Sequence, residues 1–254
     1  MFRCVINLDS SIDRWLNIKS QFDAMGLSVE RISGVLGKAL SPEEVAAVLK
    51  PTEFGYVYPL QPSEIGCFLS HRKAWQAFLD SGEKWGMVME DDARFAKEFP
   101  KIAANGDWIP EHVDCLKLGT SALDVKATNI TEIPGVGKMF KQVRPTSFNT
   151  ACYIVSVPAA KHLLKATERF NCPVDYFLFS LWFDFSHTHN VYRLDPQLVR
   201  TVGAPSDIGL RKRKKFKRPW RHQLNPLRWW RQIRISYEKR VGKPYRVTDG
   251  TFEN

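Results

Sequence analysis

Short apolar runs and helical patterns alternate along the first part of the chain. Residues Cys4 to Leu8 form an apolar run that predicts a first strand, and Val29 to Ser33 predict a second. Between them, apolar residues recur at spacings of three and four, the pattern of an amphipathic helix that Gly26 ends. These residues are Trp15, Ile18, Phe22 and Met25. This β-α-β order predicts a parallel, Rossmann-like sheet.

Capping residues and further apolar runs predict the elements that follow. Ser41-Pro42-Glu43-Glu44 is a capping-box sequence and predicts a short helix. Ser63 is the expected cap of a longer helix that runs to Leu79. The remaining predictions are strands at Cys115 to Leu118, Ala151 to Val155 and Val191 to Leu194, helices after Ser156 and over Val174 to Phe183, and loops or a hairpin over 124–148.

One apolar run, Gly86 to Met89, ends abruptly in three adjacent acids, Glu90, Asp91 and Asp92. Three carboxylates at the end of a buried strand repel one another and are costly to desolvate. Ligands of open α/β sheets bind beyond the carboxyl ends of the strands. The run therefore predicts a divalent metal site that binds phosphate. The alternative is that the acids are solvent-exposed loop residues without a ligand.

Composition is ordinary, but charge is distributed unevenly. The chain has 254 residues, 44% of them hydrophobic and 25% charged, which suits one large soluble domain or two small ones. Of the formal net charge of +10, the segment 211–246 contributes +14, since it holds fifteen Lys or Arg and only Glu238 as an acid, and the rest of the chain is −4. A mildly acidic body with a strongly basic arm predicts an interaction surface on that arm.

The five cysteines are an odd number without a CxxC pair, and all lie beside apolar residues. This pattern predicts buried thiols in a reducing compartment rather than a zinc site. Neither a signal peptide nor an apolar run long enough to span a membrane is visible. We therefore expect a soluble, cytoplasmic protein.

The basic segment has two parts. Arg211 to Arg221 is a nearly continuous basic run, and Asn225-Pro226 then predicts the start of a helix. A basic helix with an apolar, Trp-bearing face is typical of helices that lie on membranes, and anionic lipid attracts such segments. The alternative is a helix packed on the body beside a solvated arm. The apolar face comprises Leu227, Trp230, Ile233, Tyr237 and Val241.

We accordingly predict a main domain over 1–205 and a basic, membrane-associating tail over 206–254. A second class of function, nucleic-acid binding through Arg211 to Lys215, is the competing hypothesis, because basic runs also bind phosphate backbones. The acidic body and the lack of a recognised nucleic-acid-binding motif argue against it, so no nucleic-acid partner is expected.

Several separated motifs together resemble a known family. They are Ile6-Asn7-Leu8 with Asp13-Arg14, Ser63-Glu64-Ile65-Gly66-Cys67-Phe68-Leu69-Ser70-His71, Val88-Met89-Glu90-Asp91-Asp92, Asn149-Thr150-Ala151-Cys152-Tyr153, and Cys172-Pro173-Val174-Asp175. This set resembles family 25 glycosyltransferases, the lipopolysaccharide and lipooligosaccharide enzymes that include many bacterial β-galactosyltransferases. The resemblance covers roughly residues 3–202.

The resemblance implies an α/β fold of GT-A type with one nucleotide-binding domain. It implies inverting transfer of a sugar, most often galactose, from a UDP-sugar to a lipid-linked oligosaccharide, assisted by Mn²⁺ or Mg²⁺. With the basic tail, it places the protein on the inner face of the bacterial inner membrane, where the segment 211–246 would meet anionic lipid. The usual Asp-x-Asp metal motif appears here as Glu90-Asp91-Asp92.

Metal and catalytic roles can be assigned within this framework. Asp92 is the expected metal ligand, since hard oxygen ligands suit Mg²⁺ or Mn²⁺ on a diphosphate, and Glu90 contacts the metal, its water shell or the ribose. Asp175 is the expected general base that takes the proton of the acceptor hydroxyl, and its alternative is a helix N-cap. Asp184 is the second choice as base. His187 and His189 are further candidates for the metal shell.

Donor-binding roles fall on residues near the ends of the predicted strands. Asn7 and Arg14 flank the first βα turn, where phosphate usually binds, and Arg is a forked phosphate donor. His71 shares a helix face with apolar residues, so a core position is the alternative to a donor-site role. Three further residues belong to the predicted donor site. Ser33 is expected beside the base or ribose, and Asn149 at the donor sugar. Asp91 is the third, and its alternative role is to cap the following turn.

Overall fold

The computed structural model of the chain describes residues 1–50, 58–119, 124–142, 149–183, 185–201 and 226–252. Within these ranges a nine-stranded sheet has the order β11-β6-β7-β9-β5-β8-β3-β1-β2, and β10 and β4 form a separate pair. The strands are β1 (Phe2–Asn7), β2 (Glu30–Ser33), β3 (Trp85–Glu90), β4 (Ala93–Phe95), β5 (Cys115–Lys117), β6 (Asp124–Ile133), β7 (Gly137–Gln142), β8 (Cys152–Ser156), β9 (Val191–Asp195), β10 (Val199–Thr201) and β11 (Lys243–Arg246).

Eight α-helices are described in the same ranges, with a short 3₁₀ helix at Gly37–Ala39. The first of them joins β1 to β2 as the apolar spacing predicts, and a residue with positive φ, Gly26, follows it. The helices are α1 (Ile12–Ala24), α2 (Pro42–Val48), α3 (Pro62–Asp80), α4 (Phe99–Ala103), α5 (Val157–Ala166), α6 (Val174–Phe179), α7 (Phe185–Thr188) and α8 (Pro226–Val241).

The sheet is mixed rather than parallel throughout. β2, β1 and β3 run parallel, as the β-α-β pattern predicts, and β5 is parallel to β9. β8 lies antiparallel between β3 and β5, and the hairpin β6–β7 continues the antiparallel half toward β11. The prediction of an α/β fold is confirmed, the predicted parallel pairing holds for β2, β1 and β3 and for β5 and β9 but not for the other strands, and the GT-A type stays a prediction.

Helix α3 is pressed against the loop that follows β2. A Cβ on Gly66 would lie 2.4 Å from the carbonyl oxygen of Val35, so only glycine allows this approach. The N-cap of α3 is Gln61 and not Ser63, because the Glu64 side chain accepts the backbone N–H of Gln61 at 2.7 Å. This placement carries His71, on the third turn of α3, toward the end of β3.

Two apolar clusters cover the two faces of the sheet. One contains residues of α3, α5 and α6, and the other contains residues of α1 and α4. Four of the five cysteines are buried and all are free thiols, in agreement with their predicted role as small apolar residues. The acidic end of β3 therefore sits between two fully packed layers, at the edge where β1, β2 and β3 finish.

The described part of the basic segment lies against the sheet. β11 pairs antiparallel with β6, and Ile235 of α8 is only 4% exposed. Residues 211–225, which carry the basic run, lie outside the described residues, and the division at residue 205 stays a prediction. Across the described residues, no helix has the length and apolar character needed to cross a membrane.

Candidate active site at the end of strand β3

Asp91 is held by two residues of the first βα unit. Its Oδ2 accepts the side-chain amide of Asn7 at 2.7 Å, and its Oδ1 accepts Arg14 Nη1 at 3.3 Å. Asn7 is 1% exposed and also donates to the backbone carbonyl of Ser11 at 2.9 Å. Asn7 and Arg14, predicted to bind nucleotide, thus fix the second of the three acids in this structure. Asp91 ties β3 to the turn between β1 and α1.

A second polar group lines the ends of β1 and β2. Arg31 donates to Asn7 Oδ1 at 2.8 Å and to Asp9 Oδ1 at 2.8 Å. The hydroxyl of Ser33 donates to Asp9 Oδ2 at 2.8 Å, and the hydrogen bond from Ser33 is the main cause that lowers the pKa of Asp9. Ser33 therefore lies at the predicted edge beside Asn7, with an exposed carboxylate, Asp9, that the sequence did not single out.

Asp92 differs from its neighbour because no described side chain forms an ion pair with it, although the charge of Arg14 is near. Burial raises the pKa of Asp92 to about 6, and the charges of Glu90 and Asp91 add to that effect. Its Oδ1 is buried without a hydrogen-bond partner among the described residues. A cation at Asp92 and Glu90 would remove both penalties, so the chemistry of these residues fits the divalent ion that the sequence predicts.

His71 lies beside Glu90 and is held there by buried hydrogen bonds. Trp75 Nε1 donates to the Tyr153 hydroxyl at 2.7 Å, and that hydroxyl lies 2.8 Å from His71 Nδ1. An indole N–H can only donate, so the Tyr153 oxygen accepts from Trp75. The other ring nitrogen of His71, Nε2, is 3.6 Å from Glu90 Oε1. His71 is both a fully buried residue and part of the site.

The carboxylate of Glu90 is stabilised in its charged form. Burial alone would raise its pKa, but the neighbouring His71 and the hydrogen bond from the Thr150 hydroxyl outweigh burial and lower the pKa of Glu90. Cys67, one turn before His71, completes the only cluster of metal-ligating atoms among the described residues: Cys67, His71 and Glu90 place such atoms within 4.8 Å of one another. Asp92 is not in that cluster.

Asp175 closes the site from the N-terminal end of α6. Its Oδ2 accepts the backbone N–H of Asn149 at 3.3 Å, and its Oδ1 accepts that of Tyr176 at 2.8 Å. Pro173 occupies the N-cap, so Asp175 does not serve as the N-cap. Burial raises the pKa of Asp175 despite these bonds and the nearby charge of Lys117. A carboxylate of raised pKa is suited to take a proton.

Asn149 has a backbone conformation that few residues adopt. Its φ is 73°, in the left-handed region where Asn is enriched, and its Oδ1 is buried without a partner among the described residues. His71 Nε2 and Asp92 Oδ1 share that condition. Buried polar atoms are nearly always satisfied in folded proteins. Three such atoms around Glu90 therefore mark a place where a ligand completes the hydrogen bonding.

The two late histidines have other contacts. His187 Nε2 is bonded to the carbonyl of Leu181, and His189 Nδ1 lies 2.8 Å from the Thr188 hydroxyl. Burial lowers the pKa of both imidazoles. Their predicted place in a metal shell stays a prediction, and Asp184, the second candidate base, lies outside the described residues.

Two residues of the candidate site were given no role in the sequence-based predictions. Lys117 is 1% exposed, and charge interactions couple it to Asp175 and Glu90. Tyr153 positions His71, as described above. A lone lysine inside the apolar run Cys115 to Leu118 was the available signal for the first, whereas a tyrosine inside a buried strand carries no signal of its own.

Comparison with known proteins finds a matching family and several relatives. The family described as "Glycosyltransferase family 25 (LPS biosynthesis protein)" matches residues 1–178. The lacto-N-neotetraose biosynthesis glycosyltransferase LgtE of Neisseria meningitidis is 28% identical over 210 residues, covering 76% of this chain and 71% of that protein. Procollagen galactosyltransferase 2 of Homo sapiens is 29% identical over 184 residues, covering 68% of this chain and 29% of that protein.

A "Glycosyltransferase 25 family member" of Anopheles gambiae is 28% identical over 188 residues and covers 68% of this chain and 30% of that protein. This chain thus matches about 30% of the length of the animal relatives. A solved glycosyltransferase involved in glycosylation of the major capsid of PBCV-1 aligns with a TM-score of 0.42 at 8% identity, over 95% of this chain and 100% of that one. A likeness this distant carries no further conclusion.

Proposed function

Because the chain belongs to glycosyltransferase family 25, we propose that it moves a sugar, galactose, from a UDP-sugar to a lipooligosaccharide or lipopolysaccharide acceptor. The observation that carries the proposal is that buried atoms of His71, Asp92 and Asn149 have no hydrogen-bond partner among the described residues. These atoms come from three separate segments and leave donor and acceptor groups unused in one place. A nucleotide-sugar with its cation offers complementary groups for all three.

Asp92 and Glu90 are the residues that would hold Mn²⁺ or Mg²⁺. When bound, the ion supplies positive charge against the diphosphate of the leaving UDP. Asp91 does not compete for this role, because Asn7 and Arg14 already occupy its two oxygens. His71, whose Nε2 lies 3.6 Å from Glu90 Oε1, helps to keep Glu90 ionised. Asn7, Arg14, Ser33 and Asn149 are proposed to border the donor, as the family resemblance implies.

Asp175 is the proposed general base of an inverting transfer. The acceptor hydroxyl gives its proton to the Asp175 carboxylate as its oxygen bonds to the anomeric carbon, and the bond from that carbon to the UDP oxygen breaks with its electron pair. Two backbone N–H groups fix the carboxylate, so it needs no rearrangement to receive the proton. Its raised pKa makes it a better proton acceptor than an exposed aspartate.

Helix α8 is proposed to hold the enzyme on the anionic inner face of the bacterial inner membrane. Trp230 is 65% exposed, and Trp229, Ile233, Tyr237 and Val241 are exposed as well, while Ile235 packs on the body. The helix also carries the exposed basic residues Lys239 and Arg240, which anionic lipid attracts. The competing nucleic-acid hypothesis rests on Arg211 to Lys215, outside the described residues, and no described contact favours it.

A donor screen tests the enzymatic proposal. UDP release is measured for a panel of UDP-sugars with a lipooligosaccharide acceptor, with and without Mn²⁺. We expect UDP-galactose and Mn²⁺ to give the highest rate, and Asp92→Asn to abolish the metal-dependent part. Asp23→Asn, which alters an exposed carboxylate on α1 paired with Lys19, is the matched control and should retain full activity. Metal-independent turnover by Asp92→Asn at the wild-type rate would refute the role of Asp92.

Vesicle flotation tests the membrane proposal separately. The full chain should float with anionic vesicles and not with neutral ones, and a variant with Trp229, Trp230 and Ile233 changed to Ser should float several-fold less. Ile130→Ser, at an exposed apolar position of β6, is the control and should float like the wild type. Equal flotation of all three proteins would remove α8 from the membrane contact without affecting the enzymatic proposal.

A further inference from the structure

Three side chains of types that bind metal ions meet where helix α3 passes the end of β3. Cys67 and His71 lie four residues apart on α3, so they share one face of the helix, and Glu90 is the last residue of β3. A sulfur, an imidazole nitrogen and a carboxylate oxygen of these residues lie within 4.8 Å of one another. The spacing in the sequence predicts no zinc site, because only the fold brings Glu90 to the two residues of α3.

His71 presents to this cluster a ring nitrogen that has no hydrogen-bond partner among the described residues. The His71 side chain is fully buried, and its Nε2 lies 3.6 Å from Glu90 Oε1. The opposite nitrogen, Nδ1, lies 2.8 Å from the Tyr153 hydroxyl. A metal-ligating histidine usually donates the N–H of its second nitrogen to a polar partner, which fixes the ring and leaves the first nitrogen free for the ion. The surroundings of His71 are therefore those of a metal ligand.

The spacing of the three atoms suits a small tetrahedral ion. Zinc bonds of about 2.0–2.3 Å separate neighbouring ligand atoms by about 3.3–3.8 Å. The 3.6 Å between His71 Nε2 and Glu90 Oε1 is already in that range. Cys67 is the one cysteine of the five that is only partly buried, and the Glu90 side chain is 29% exposed. An ion from solvent can therefore reach two of its three ligands directly.

The chemistry of this cluster differs from that of the ion site proposed at Asp92, which is not a member of the cluster. Thiolate sulfur and imidazole nitrogen select zinc, whereas Mg²⁺ and Mn²⁺ prefer carboxylate oxygens and water. When zinc binds, the Cys67 thiol releases its proton to solvent and the thiolate becomes the ligand. The two sets of ligands share Glu90 and should prefer different ions.

We propose that Cys67, His71 and Glu90 form a zinc-binding site, and that zinc bound there inhibits the enzyme. The second part rests on the proposed glycosyl transfer. Zinc takes Glu90 from the Mn²⁺ or Mg²⁺ that Asp92 would hold, and it takes the His71 nitrogen that a bound donor would otherwise contact. Zinc therefore competes with the donor and its ion for the same two side chains.

Cobalt and zinc titrations of the full chain, in a reductant that binds no metal, test the binding site. Co²⁺ serves as a probe of zinc sites because a thiolate ligand gives it a charge-transfer absorption in the near ultraviolet. We expect the wild type to show this absorption and zinc to displace the cobalt. Cys67→Ala should lose the absorption and bind zinc at least tenfold more weakly in calorimetry, about 1.4 kcal/mol.

Two variants serve as controls for the zinc site. Cys4→Ala is the matched control: it removes a buried cysteine of β1 outside the cluster and should keep the cobalt absorption and the zinc affinity. Asp92→Asn should keep the absorption as well. Circular dichroism of each metal-free variant checks that it is folded. A wild type without thiolate absorption, a folded Cys67→Ala with wild-type zinc affinity, or loss of the absorption in Asp92→Asn would overturn the proposed site.

Inhibition is measured in a separate assay of UDP release from UDP-galactose with Mn²⁺. Saturating zinc should lower the wild-type rate several-fold, and it should leave the rate of Cys67→Ala equal to that of the same variant without zinc. Equal inhibition of both proteins would overturn the competition. The titrations contain no donor or acceptor, so failure of the proposed glycosyl transfer appears as absent UDP release without zinc, whereas failure of the zinc site appears in the cobalt spectrum.

Discussion

Replacing Asp92 by Asn should stabilise the protein while removing metal-dependent activity. Asp92 carries a buried, unpartnered oxygen and lies beside two other carboxylates. Asn preserves its shape and one carbonyl oxygen but removes the charge that burial, Glu90 and Asp91 oppose. The same charge is the reason for the proposed ion binding. Stability and function should therefore change in opposite directions at this position.

The expected gain follows from the pKa of Asp92, which burial raises from 3.8 to about 6. At 1.36 kcal/mol per pKa unit, ionised Asp92 costs the fold at most about 3 kcal/mol at neutral pH. Asp92 is only partly buried, and screening by water reduces this to about 1–2 kcal/mol. For a chain of this length, that corresponds to a rise in Tm of about 2–6 °C.

The stability gained by Asp92→Asn depends on pH. Between 3.8 and about 6 the folded protein binds more protons at Asp92 than the unfolded chain does, so the contribution of Asp92 to stability falls as pH rises through that window. Above about pH 6 the ionised Asp92 destabilises the fold by the full amount, and below pH 3.8 the carboxyl is protonated and this destabilisation disappears. The advantage of Asp92→Asn should therefore be largest at pH 7 and above and should vanish near pH 4.

Thermal unfolding by circular dichroism from pH 4 to pH 8, in the presence of a chelator, measures this difference. Asp91→Asn is the matched control: Asn7 and Arg14 already satisfy that carboxylate, so its loss should bring no gain. Addition of Mn²⁺ should raise the Tm of the wild type and not that of Asp92→Asn. The reasoning is wrong if Asp92→Asn is no more stable than the wild type at pH 7.5, or if its advantage persists at pH 4.

Contacts elsewhere in the site lead to three further expectations. Tyr153→Phe leaves the buried indole N–H of Trp75 without an acceptor and should lower the free energy of unfolding by about 1–3 kcal/mol in urea denaturation. Asn7→Ala releases Asp91 and should raise KM for the UDP-sugar about tenfold with kcat little changed, as steady-state kinetics would measure. Burial raises the pKa of Asp175, so kcat/KM should fall with decreasing pH, with a midpoint above pH 3.8. Asp175→Asn should lower the rate by about 10²–10⁴-fold and remove this acidic limb of the pH profile.

Local signals in the sequence predict much of the fold. Apolar periodicity places α1, and the capping box at Ser41 and Glu44 is present as predicted. A hairpin over 124–148 was one predicted alternative and is present as β6–β7. The antiparallel direction of β8 and the strand β11 were not predicted, because strand direction depends on how distant segments pair. β11 is an example: the sequence Lys243-Pro244-Tyr245-Arg246 is too polar to predict a strand, and pairing with β6 makes it one.

In the candidate site, too, local features can be predicted from the sequence and contacts between distant segments cannot. Glu90, Asp91 and Asp92 are adjacent in the chain, so their mutual repulsion is visible without a structure. Which of them is neutralised is not visible, because Asn7 and Arg14 reach Asp91 from about 80 positions away, at separations of 84 and 77 residues. The pairing of Lys117 with Arg193 likewise follows from the register of β5 and β9, and neither residue alone signals it.

The unpartnered atoms of His71, Asp92 and Asn149 constrain what this site can be. A buried polar group without a partner costs about 1–3 kcal/mol, so the three together cost a large share of the 5–15 kcal/mol that stabilises a typical domain. A ligand that bonds to all three atoms removes this destabilisation when it binds. The difference in free energy of unfolding between the free and the liganded protein then measures how much His71, Asp92 and Asn149 contribute to ligand binding rather than to the fold.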